Sequence, residues 1–414
     1  MHILDTLKER GFIAQVTFEE DLYKRLDQEM VTFYTGFDPT ADSLHVGHYI
    51  PIMAMAHLQK AGHRPIALCG GGTAMVGDPS GKTDMRKMLS KDDISRNVSG
   101  LQAQLSRFLD FGDGVSEKRS NAALMVNNAD WLLQLNYVDF LRDIGSLFSV
   151  NRMLTAECYR QRLEKGLTFL EFNYMLMQSY DFLRLFQDHG CRLQVGGDDQ
   201  WSNILAGADL IHRKEQEDAF ALTCKLIMTH DGKKMGKTEA GALWLDKNRT
   251  SPFDFYQYWR NVDDHDVEKF LGLLTFLPME EVRRLGALQD SAINEAKRVL
   301  AFEVTRMIHG EEEAQKAQDA AQALFAGGAD SGHIPSFDVT QSILDEDNRL
   351  TTLLALCGLC ASRGEARKMV QAGAVFIGED KISDFEYRIS ADSFADDGVL
   401  LRKGKKNFCR LVLR

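Results

Sequence analysis

The stretch Thr40-Ala-Asp-Ser-Leu-His45-Val-Gly47-His48 joins a β-like run, Val31–Phe37, to a helical pattern, His45–Ala61. A helix start has unpaired N–H groups and the positive end of the helix dipole, so it attracts anions. Imidazoles can hydrogen-bond phosphate or ring oxygens, and Gly47 leaves room for a base or a ribose. The stretch therefore predicts a nucleotide site at a strand-to-helix junction. Two half-exposed histidines at a helix start are the alternative interpretation.

The same alternation of short apolar runs with helical patterns continues to about residue 230. The other strand-like runs are Arg64–Gly70, Ala122–Asn127, Leu193–Gly196 and Ala221–Ile227. Helical periodicity fills Asp92–Phe111, Tyr137–Phe148, Phe169–Asp188 and Asp199–His212. Strands separated by helices predict an α/β fold with a parallel sheet. Ligands of such sheets bind outside the carboxyl ends of the strands, which is where His45 and His48 lie.

The second half of the chain has a different pattern. From Pro252 to Ala326 it is helical and strongly charged, and a run of small residues and helix breakers follows. A compact unit with two short helices, Leu350–Leu356 and Arg363–Ala372, and short strands comes last. We therefore predict four parts, which are an α/β domain at 1–247, a helical domain at 248–325, a linker at 326–345 and a small α+β domain at 346–414.

Composition narrows the class of protein. The 414 residues are 44% hydrophobic and 26% charged, as in ordinary soluble globular proteins. No apolar run approaches the length that spans a bilayer, and the N-terminus has no signal-peptide core. Seven cysteines in such a chain predict reduced thiols in a cytoplasm. Cys357 and Cys360 have no second pair to complete a zinc site, so we predict no metal ligands.

Charge is distributed unevenly along the chain. The net charge of −11 argues against a general nucleic-acid coat protein. Residues 351–414 nevertheless contain 11 Lys/Arg against 8 Asp/Glu, so a basic module follows an acidic body. This pattern favours specific contact with a polyanion, and a solvated tail is the alternative.

A lysine-rich segment is a second candidate for phosphate binding. Lys233-Lys234-Met-Gly-Lys237-Thr238 follows a strand-like run and has glycines on both sides, which suggests a hinge. A pyrophosphate leaving group could be contacted by the positive charges of Lys234 and Lys237 and by the Thr238 hydroxyl. Taken alone, the segment fits a basic surface hairpin better than a phosphate-binding site. Taken with the histidine junction, it suggests a nucleotide site.

One helical pattern, Phe169–Asp188, carries a narrow polar stripe on an otherwise apolar sequence. Tyr174, Gln178 and Asp181 occur at i, i+4 and i+7 and therefore share one face. The stripe favours a helix that lines a wet pocket over an amphipathic surface helix.

Two glycine-containing turns complete the candidate site. Gln194-Val-Gly-Gly197-Asp-Asp199-Gln200 indicates a strand end and a helix start, where a carboxylate can accept ribose hydroxyls. An Asp-capped βα turn is the alternative there. The run Gly70–Thr83 fails the P-loop pattern because only three residues separate Gly77 from Gly81. We interpret it as a loop that presents Asp78 to a substrate cation.

Together these motifs resemble the bacterial tyrosyl-tRNA synthetases, a family of class I aminoacyl-tRNA synthetases. The residues that carry the resemblance are Tyr34-Thr-Gly36-Phe-Asp38-Pro-Thr40, His45-Val-Gly47-His48, Asp78-Pro-Ser-Gly-Lys, Tyr174, Gln178, Asp181, Gln194, Gly197, Asp199-Gln200 and Lys234-Met-Gly-Lys237-Thr238. Ser362–Gly378 is similar to the S4-type RNA-binding module of the family. The sequence departs from the family signatures in having Val46 for Ile and Lys-Met-Gly-Lys-Thr for Lys-Met-Ser-Lys-Ser.

The resemblance implies a Rossmann-like catalytic domain at 1–247, a helical domain on the anticodon side and an S4-like RNA-binding domain at 346–414. Tyrosine would be held by Tyr34, Asp78, Tyr174, Gln178, Asp181 and Gln200. ATP or the adenylate would be held by Gly36, Asp38, Gly47, Gly197, Asp199 and Lys237. Catalytic contacts would come from Thr40, His45, His48, Lys234, Lys237 and Thr238. RNA contacts would come from Arg363, Arg367, Lys368, Lys403 and Lys405.

The activity implied by the resemblance is ligation of L-tyrosine to tRNA(Tyr) through a tyrosyl-adenylate. ATP is the co-substrate, and Mg²⁺ would be bound mainly through its phosphates. The resemblance also implies a homodimer, and the cysteine usage and apolar runs predict a cytoplasmic protein without a membrane partner. Phenylalanine would be rejected because it has no hydroxyl. The buried side chains of Asp181 and Tyr34 would then be left without a hydrogen-bond partner.

Three alternatives remain open on the sequence alone. They are a tryptophan enzyme of the same class, a nucleotidyltransferase without tRNA, and an RNA-binding protein with an inactive catalytic body. Asp181 opposite Tyr34 argues for a phenol as substrate. The S4-like tail argues against the second alternative, and the intact histidines and lysines argue against the third.

Overall fold

The computed structural model describes residues 1–80, 90–112, 120–230, 232, 235, 237–238, 241–325, 336–378, 380–390, 393–394, 398–404 and 407–414. The chain forms two compact units, Met1–Gln315 and Lys316–Arg414. Among the described residues, no helix combines the length and the apolar character needed to cross a bilayer.

A six-stranded sheet forms the centre of the first unit. Its strands are β1 (Ile13–Val16), β2 (Thr32–Phe37), β3 (Arg64–Cys69), β4 (Leu124–Asn127), β5 (Cys191–Gly197) and β6 (Phe220–Cys224). The spatial order is β1-β6-β5-β2-β3-β4, and every pairing is parallel except that of β1 with β6. The carboxyl ends of β2, β3, β5 and β6 therefore meet along one edge. A two-stranded ribbon, β7 (Lys237–Thr238) with β8 (Gly241–Ala242), follows in the chain.

Helices pack against this sheet, and more helices follow it in the chain. Those that precede or connect its strands are α1 (Ile3–Glu9), α2 (Glu19–Gln28), α3 (Tyr49–Lys60), α4 (Lys91–Leu105), α5 (Ala129–Leu132), α6 (Tyr137–Asp143), α7 (Val150–Leu154), α8 (Glu157–Lys165), α9 (Phe169–Phe172), α10 (Tyr174–His189) and α11 (Trp201–Glu215). Those that follow are α12 (Pro252–Arg260), α13 (Val267–Leu274), α14 (Met279–Gly286), α15 (Ile293–His309) and α16 (Glu311–Phe325).

Helix α3 lies between the sheet and the later helices, and ten of its twelve residues are buried. The Tyr49 hydroxyl donates to the Leu274 carbonyl, and the His57 ring packs against Phe276. The Arg10 guanidinium donates to the carbonyls of Gly272 and Thr275. These contacts join the helical segment to the sheet region, and residues 248–315 belong to the same compact unit as the sheet. The functional division into an α/β domain at 1–247 and a helical domain at 248–325 stays a prediction.

The second unit is built on a five-stranded sheet with the order β11-β10-β12-β13-β9. Its strands are β9 (Ser336–Val339), β10 (Val375–Ile377), β11 (Asp380–Ile382), β12 (Val399–Lys403) and β13 (Asn407–Leu413). Three helices pack on it, α17 (Gln341–Asp347), α18 (Leu350–Leu356) and α19 (Arg363–Gln371). Its core is aliphatic, with Leu353, Val370 and Leu411 fully buried.

The predicted α/β class with a parallel sheet is confirmed, and three local details differ from expectation. The pattern Phe169–Asp188 forms two helices because Asn173 ends α9 before α10 begins. The antiparallel edge strand β1 was not predicted. Within the stretch assigned to the linker at 326–345, Ser336–Val339 pairs in parallel with β13.

A buried ion pair orients the start of the polar-striped helix. Arg162 donates two hydrogen bonds to the Glu171 carboxylate, at 3.0 and 3.1 Å, and the same carboxylate accepts from the Thr168 N–H and hydroxyl. Both charged side chains are less than a tenth exposed. Thr168 and Glu171 form a capping box that begins α9. Removal of either charge would leave the other buried without a partner.

We expect Arg162→Met to lower the free energy of unfolding by about 3–5 kcal/mol, because Glu171 would remain buried and charged. The double variant Arg162→Met/Glu171→Met should recover much of that loss. Arg160→Met, which removes an exposed pair with Glu157, is the matched control and should change stability by about 0.5 kcal/mol or less. Urea denaturation measures all three. A double variant as unstable as the single one would contradict this account.

Candidate active site

A cleft of about 900 Å³ opens at the carboxyl ends of β2, β3, β5 and β6. Every predicted site residue with a described side chain, apart from those assigned to RNA, lines it. These residues are Tyr34, Gly36, Asp38, Thr40, His45, Gly47, His48, Asp78, Tyr174, Gln178, Asp181, Gly197, Asp199 and Gln200. The topology explains the grouping, because parallel strands deliver their following loops to one edge of the sheet.

The lysine-rich segment is described only in part. Lys234 lies outside the described residues, and Lys237 and Thr238 are described as backbone alone, in β7. Lys237 pairs with Ala242, and both Ala242 and Met235 line the cleft. The side-chain roles of these lysines and of Thr238 stay predictions.

The histidine junction forms a short 3₁₀ turn, Val46–His48, that leads into α3. The Gly47 N–H donates to His45 Nδ1 at 3.0 Å, and the His45 N–H donates to His48 Nδ1 at 3.2 Å. Because each Nδ1 accepts, each neutral ring carries its proton on Nε2, which is a donor suited to an anion. A side chain at Gly47 would stand 2.7 Å from the His45 ring, so glycine is needed for this arrangement.

The innermost part of the cleft contains a buried carboxylate and a buried phenol. Asp181 accepts from Asn128 Nδ2 at 2.8 Å and from Trp131 Nε1 at 2.7 Å, one donor to each oxygen. Burial raises the pKa of Asp181 to about 7; the two hydrogen bonds oppose that shift and the nearby charge of Asp38 adds to it. Tyr34 is 1% exposed, and burial together with Asp181 holds the pKa of its hydroxyl well above the usual range.

Four buried polar atoms of residues that line the cleft have no hydrogen-bond partner among the described residues. They are the Tyr34 hydroxyl, Thr35 Oγ1, Gln178 Oε1 and Gln194 Oε1. An unmet buried polar atom costs about 1–3 kcal/mol, so such atoms are rare outside sites that bind something polar. Their grouping in one cleft points to a ligand with several hydrogen-bonding groups.

A second group of contacts surrounds Asp38 at the end of β2. Its carboxylate accepts from Thr73 Oγ1 at 3.0 Å and from the Tyr174 hydroxyl at 3.3 Å. A side chain at Gly70 would clash with the same carboxylate, since its Cβ would stand 2.2 Å from Asp38 Oδ1. Gly36, by contrast, faces open space within the cleft, which leaves that strand approachable.

Asp78 and Gln200 form a third group. Gln200 Nε2 donates to Asp78 Oδ2 at 2.7 Å, and the Ser80 N–H donates to Asp78 Oδ1 at 2.9 Å. Asn203 supports both neighbours by donating to Ser80 Oγ and to Gln200 Oε1. The carboxylate is therefore held in a fixed orientation in the cleft, as a site for a substrate cation requires.

Sequence reasoning missed Thr73, Asn128 and Trp131. Asn128 immediately follows β4, so the rule about carboxyl ends of parallel strands could have found it. Trp131 and Thr73 carry no sequence signal of this kind, because their roles arise only from the approach of distant segments to Asp181 and Asp38.

The predicted RNA-binding residues lie in the second unit and contact neighbouring groups. Arg363 forms an ion pair with Asp347, and the Arg367 guanidinium stacks on Phe385 at 4.0 Å. Lys403 donates to Glu365 at 3.2 Å, and Lys368 is exposed on α19. Lys405 lies outside the described residues. Their contact with RNA stays a prediction.

Comparisons with known proteins agree with this architecture. Residues 26–326 match the family model of class I tRNA synthetases (W and Y). Residues 329–411 match the model of the tyrosine–tRNA ligase SYY-like C-terminal domain. The tyrosine–tRNA ligase of Clostridium tetani is 56% identical over 412 residues, covering 100% of this chain and 99% of its own length.

Further relatives support the same assignment. A tyrosine–tRNA ligase of Clostridium botulinum is 58% identical and both chains are fully covered. Among solved structures, a C-terminally truncated mitochondrial tyrosyl-tRNA synthetase of Aspergillus nidulans superposes with a TM-score of 0.68 at 32% identity, covering 78% of this chain and 94% of that one. The chain therefore belongs to the class I tRNA synthetase family of the tryptophan and tyrosine type.

Proposed function

We propose that this protein is a tyrosine–tRNA ligase, which activates L-tyrosine with ATP and transfers it to tRNA(Tyr). The observation that carries the choice of amino acid is a pair of buried groups: the Tyr34 hydroxyl, which has no hydrogen-bond partner among the described residues, and the Asp181 carboxylate. A phenol hydroxyl placed between them can donate to Asp181 and accept from Tyr34. The substrate phenol would then supply the hydrogen-bond partner that the buried Tyr34 hydroxyl lacks among the described residues.

The amino acid would lie along α10 with its ring toward Asp181 and its ammonium toward Asp78, Tyr174 and Gln178. The fixed Asp78 carboxylate supplies the negative charge that an ammonium needs. Gln178 Oε1, buried and without a described partner, supplies an acceptor. Gln200 would lie near the carboxylate of the substrate.

ATP would occupy the outer part of the cleft. The open space over Gly36 and the turn with Gly197 and Asp199 would take the nucleoside. The Nε2 donors of His45 and His48, together with Thr40, would contact the phosphates at the helix start. Lys234, Lys237 and Thr238 would complete the charge around the leaving pyrophosphate.

The chemistry requires no protein nucleophile. A carboxylate oxygen of tyrosine attacks the α-phosphorus, the bond to the β-phosphate breaks, and pyrophosphate leaves. A hydroxyl of the terminal ribose of tRNA then attacks the tyrosyl carbonyl, and AMP leaves. The protein contributes positioning and stabilisation of the charge that moves onto the leaving group.

We propose that Mg²⁺ enters this reaction bound to the phosphates of ATP. Among the described residues, one group of His and carboxylate side chains is close enough together to hold a metal ion. None of its members lines the cleft. The phosphate oxygens themselves are hard donors of the kind that Mg²⁺ prefers, so a dedicated set of protein ligands is not needed.

We assign adenylate formation to residues 1–247 and tRNA contact to the parts at 248–325 and 346–414. The match of residues 329–411 to a C-terminal domain of tyrosine–tRNA ligases supports the second assignment. The seven cysteines, all of them free, suit a reducing cytoplasm, which we propose as the location of the protein.

We also propose that the protein is a homodimer. Large apolar side chains are exposed along one stretch of the first unit, residues 133–170, which we term the apolar segment. They are Leu133, Tyr137, Val138, Leu141, Val150, Leu154, Leu163, Phe169 and Leu170. Exposed apolar side chains at this density favour an interface over a solvent-facing surface.

The assignment predicts tyrosine-dependent exchange of labelled pyrophosphate into ATP. Tyrosine should support exchange, whereas tryptophan and phenylalanine at equal concentration should not, because neither places a hydroxyl between Tyr34 and Asp181. Exchange supported by tryptophan as efficiently as by tyrosine would identify the other enzyme of the class. Folded protein without exchange activity would contradict the assignment.

Tyr34→Phe is the matched variant for that assay. It removes one hydrogen bond to the phenol, so kcat/KM for tyrosine should fall by roughly 2- to 13-fold, the equivalent of about 0.5–1.5 kcal/mol. The value for phenylalanine should not fall. Tyr180→Phe, which lies next to Asp181 on α10 but packs against Phe140, is the control and should leave both values unchanged. An equal loss for both amino acids would rule out a phenol contact.

The raised pKa of Asp181 predicts a pH dependence for tyrosine. Only the ionised carboxylate can accept a hydrogen bond from the phenol while both oxygens accept from Asn128 and Trp131. With a pKa of about 7, the ionised fraction falls as pH drops through 7. Between pH 7.5 and 6, kcat/KM for tyrosine should therefore fall roughly eightfold at saturating ATP. A flat profile over that range would show that Asp181 does not titrate there.

The homodimer proposal predicts a mass of twice 46.7 kDa by light scattering on a sizing column. Phe169→Asp places a charge on the apolar segment and should shift the protein to the monomer mass. Phe18→Asp alters an equally exposed phenylalanine outside that segment and should leave the dimer intact. A monomeric wild-type protein, or dissociation by the Phe18 variant alone, would contradict the proposed interface.

A further inference from the structure

Two histidines and one aspartate form a compact group on the surface of the first unit, outside the lining of the cleft. They are His230, Asp263 and His265, and one ligand atom from each lies within 4.8 Å of the others. We propose that these three side chains bind a divalent transition-metal ion, with Zn²⁺ as the expected occupant.

The separations between the ligand atoms suit such an ion. His265 Nδ1 lies 2.7 Å from Asp263 Oδ1, and His230 Nδ1 lies 3.7 Å from the same oxygen. Two ligands on a tetrahedral Zn²⁺ stand roughly 3.3 Å apart, given bonds of about 2.0–2.1 Å. The two observed distances bracket that value, so small rotations of exposed side chains would bring all three atoms onto one ion.

The backbone holds the three ligands near one another without a metal. Asp263 caps the short 3₁₀ turn Asp264–Asp266 and accepts from the His265 N–H at 3.0 Å. His230 is at the second position of a turn in which the Gly232 N–H donates to the Thr229 carbonyl. Its own N–H donates to Asp266 Oδ2 at 2.9 Å. The turn is therefore fastened to the segment that carries the other two ligands.

Capping alone does not explain the group. A hydrogen bond from His265 to Asp263 completes an ordinary helix cap and requires no second imidazole. The His230 ring nevertheless stacks on His265, with centroids 5.4 Å apart and planes inclined by 24°. A metal ion placed between the two ring nitrogens and the carboxylate would attract all three side chains. His212 beside Asp218, at 3.6 Å, shows the simpler pairing of one ring with one carboxylate.

The donor set decides the class of ion. Two imidazole nitrogens and one carboxylate oxygen suit Zn²⁺, Ni²⁺ or Cu²⁺, whereas Mg²⁺ and Ca²⁺ prefer oxygen ligands. The three side chains are 48%, 43% and 81% exposed in the order His230, Asp263 and His265, so water can complete the coordination. An open three-ligand site of this kind binds reversibly.

A bound ion would tie two segments of the first unit. His230 belongs to the turn in front of the lysine-rich segment, and Asp263 and His265 directly precede α13. On the far side of the turn, the Met235 N–H donates to the Ile227 carbonyl, and both residues line the cleft. The ion would thus cross-link the base of this segment to the helical region and stabilise the folded protein by mass action.

The test uses the full-length protein, stripped with a chelator and titrated with Zn²⁺ by calorimetry. We expect one equivalent to bind. His230→Ala and His265→Ala should each weaken binding by at least about tenfold. His212→Ala, which removes an exposed histidine beside a single carboxylate, is the control and should bind as the wild type does. Circular dichroism checks that each variant is folded.

Co²⁺ serves as a spectroscopic probe of the ligands. We expect visible ligand-field bands without the near-ultraviolet charge-transfer band that thiolates produce, and these bands should be absent from His265→Ala. Failure of the stripped wild type to bind one equivalent would overturn the inference. Binding that survives unchanged in both histidine variants, or a thiolate band that locates the ion at cysteines, would do the same.

Discussion

The buried carboxylate of Asp181 is the interaction on which the account of this protein depends. Burial alone would favour its neutral form, and the donors Asn128 and Trp131 compensate by bonding one oxygen each. Both donors come from the segment after β4, so three parts of the fold, β2, β4 and α10, must meet correctly before the slot beside Tyr34 exists. Specificity for a phenol is thus tied to the packing of the whole sheet region.

The nucleotide end of the cleft depends on a different constraint, the abrupt change from β2 to α3. The chain turns at His45–His48 with its own N–H groups bonded to the ring nitrogens, which orients both imidazoles locally. The segment at 243–245 adds to this, because it pairs with the backbone beside His45 and packs the Trp244 ring on the His45 ring. Only glycine fits at residue 47 beside the His45 ring. Local sequence therefore sets much of the anion-binding end, whereas contacts between distant segments determine the amino-acid end.

This difference explains how much could be predicted from the sequence. The histidine junction and the stripe of Tyr174, Gln178 and Asp181 were visible because each is encoded by local spacing, and the alternation of strands and helices predicted the edge at which they meet. Thr73 and Trp131 were not visible, because such a residue acquires its role only from a partner far along the chain, whereas Asn128 was overlooked although it directly follows a predicted strand. The edge strand β1 was not predicted for a related reason, since a short strand at the margin of a sheet needs little apolar patterning.

A crystal structure with a non-hydrolysable analogue of tyrosyl-adenylate tests the central claim most directly. We expect a phenol oxygen within about 2.5–3.2 Å of both the Tyr34 hydroxyl and the Asp181 carboxylate. The nucleoside should lie beside Gly36 and Gly197. An analogue whose ring lies away from Asp181, or whose phenol oxygen contacts only water, would contradict it.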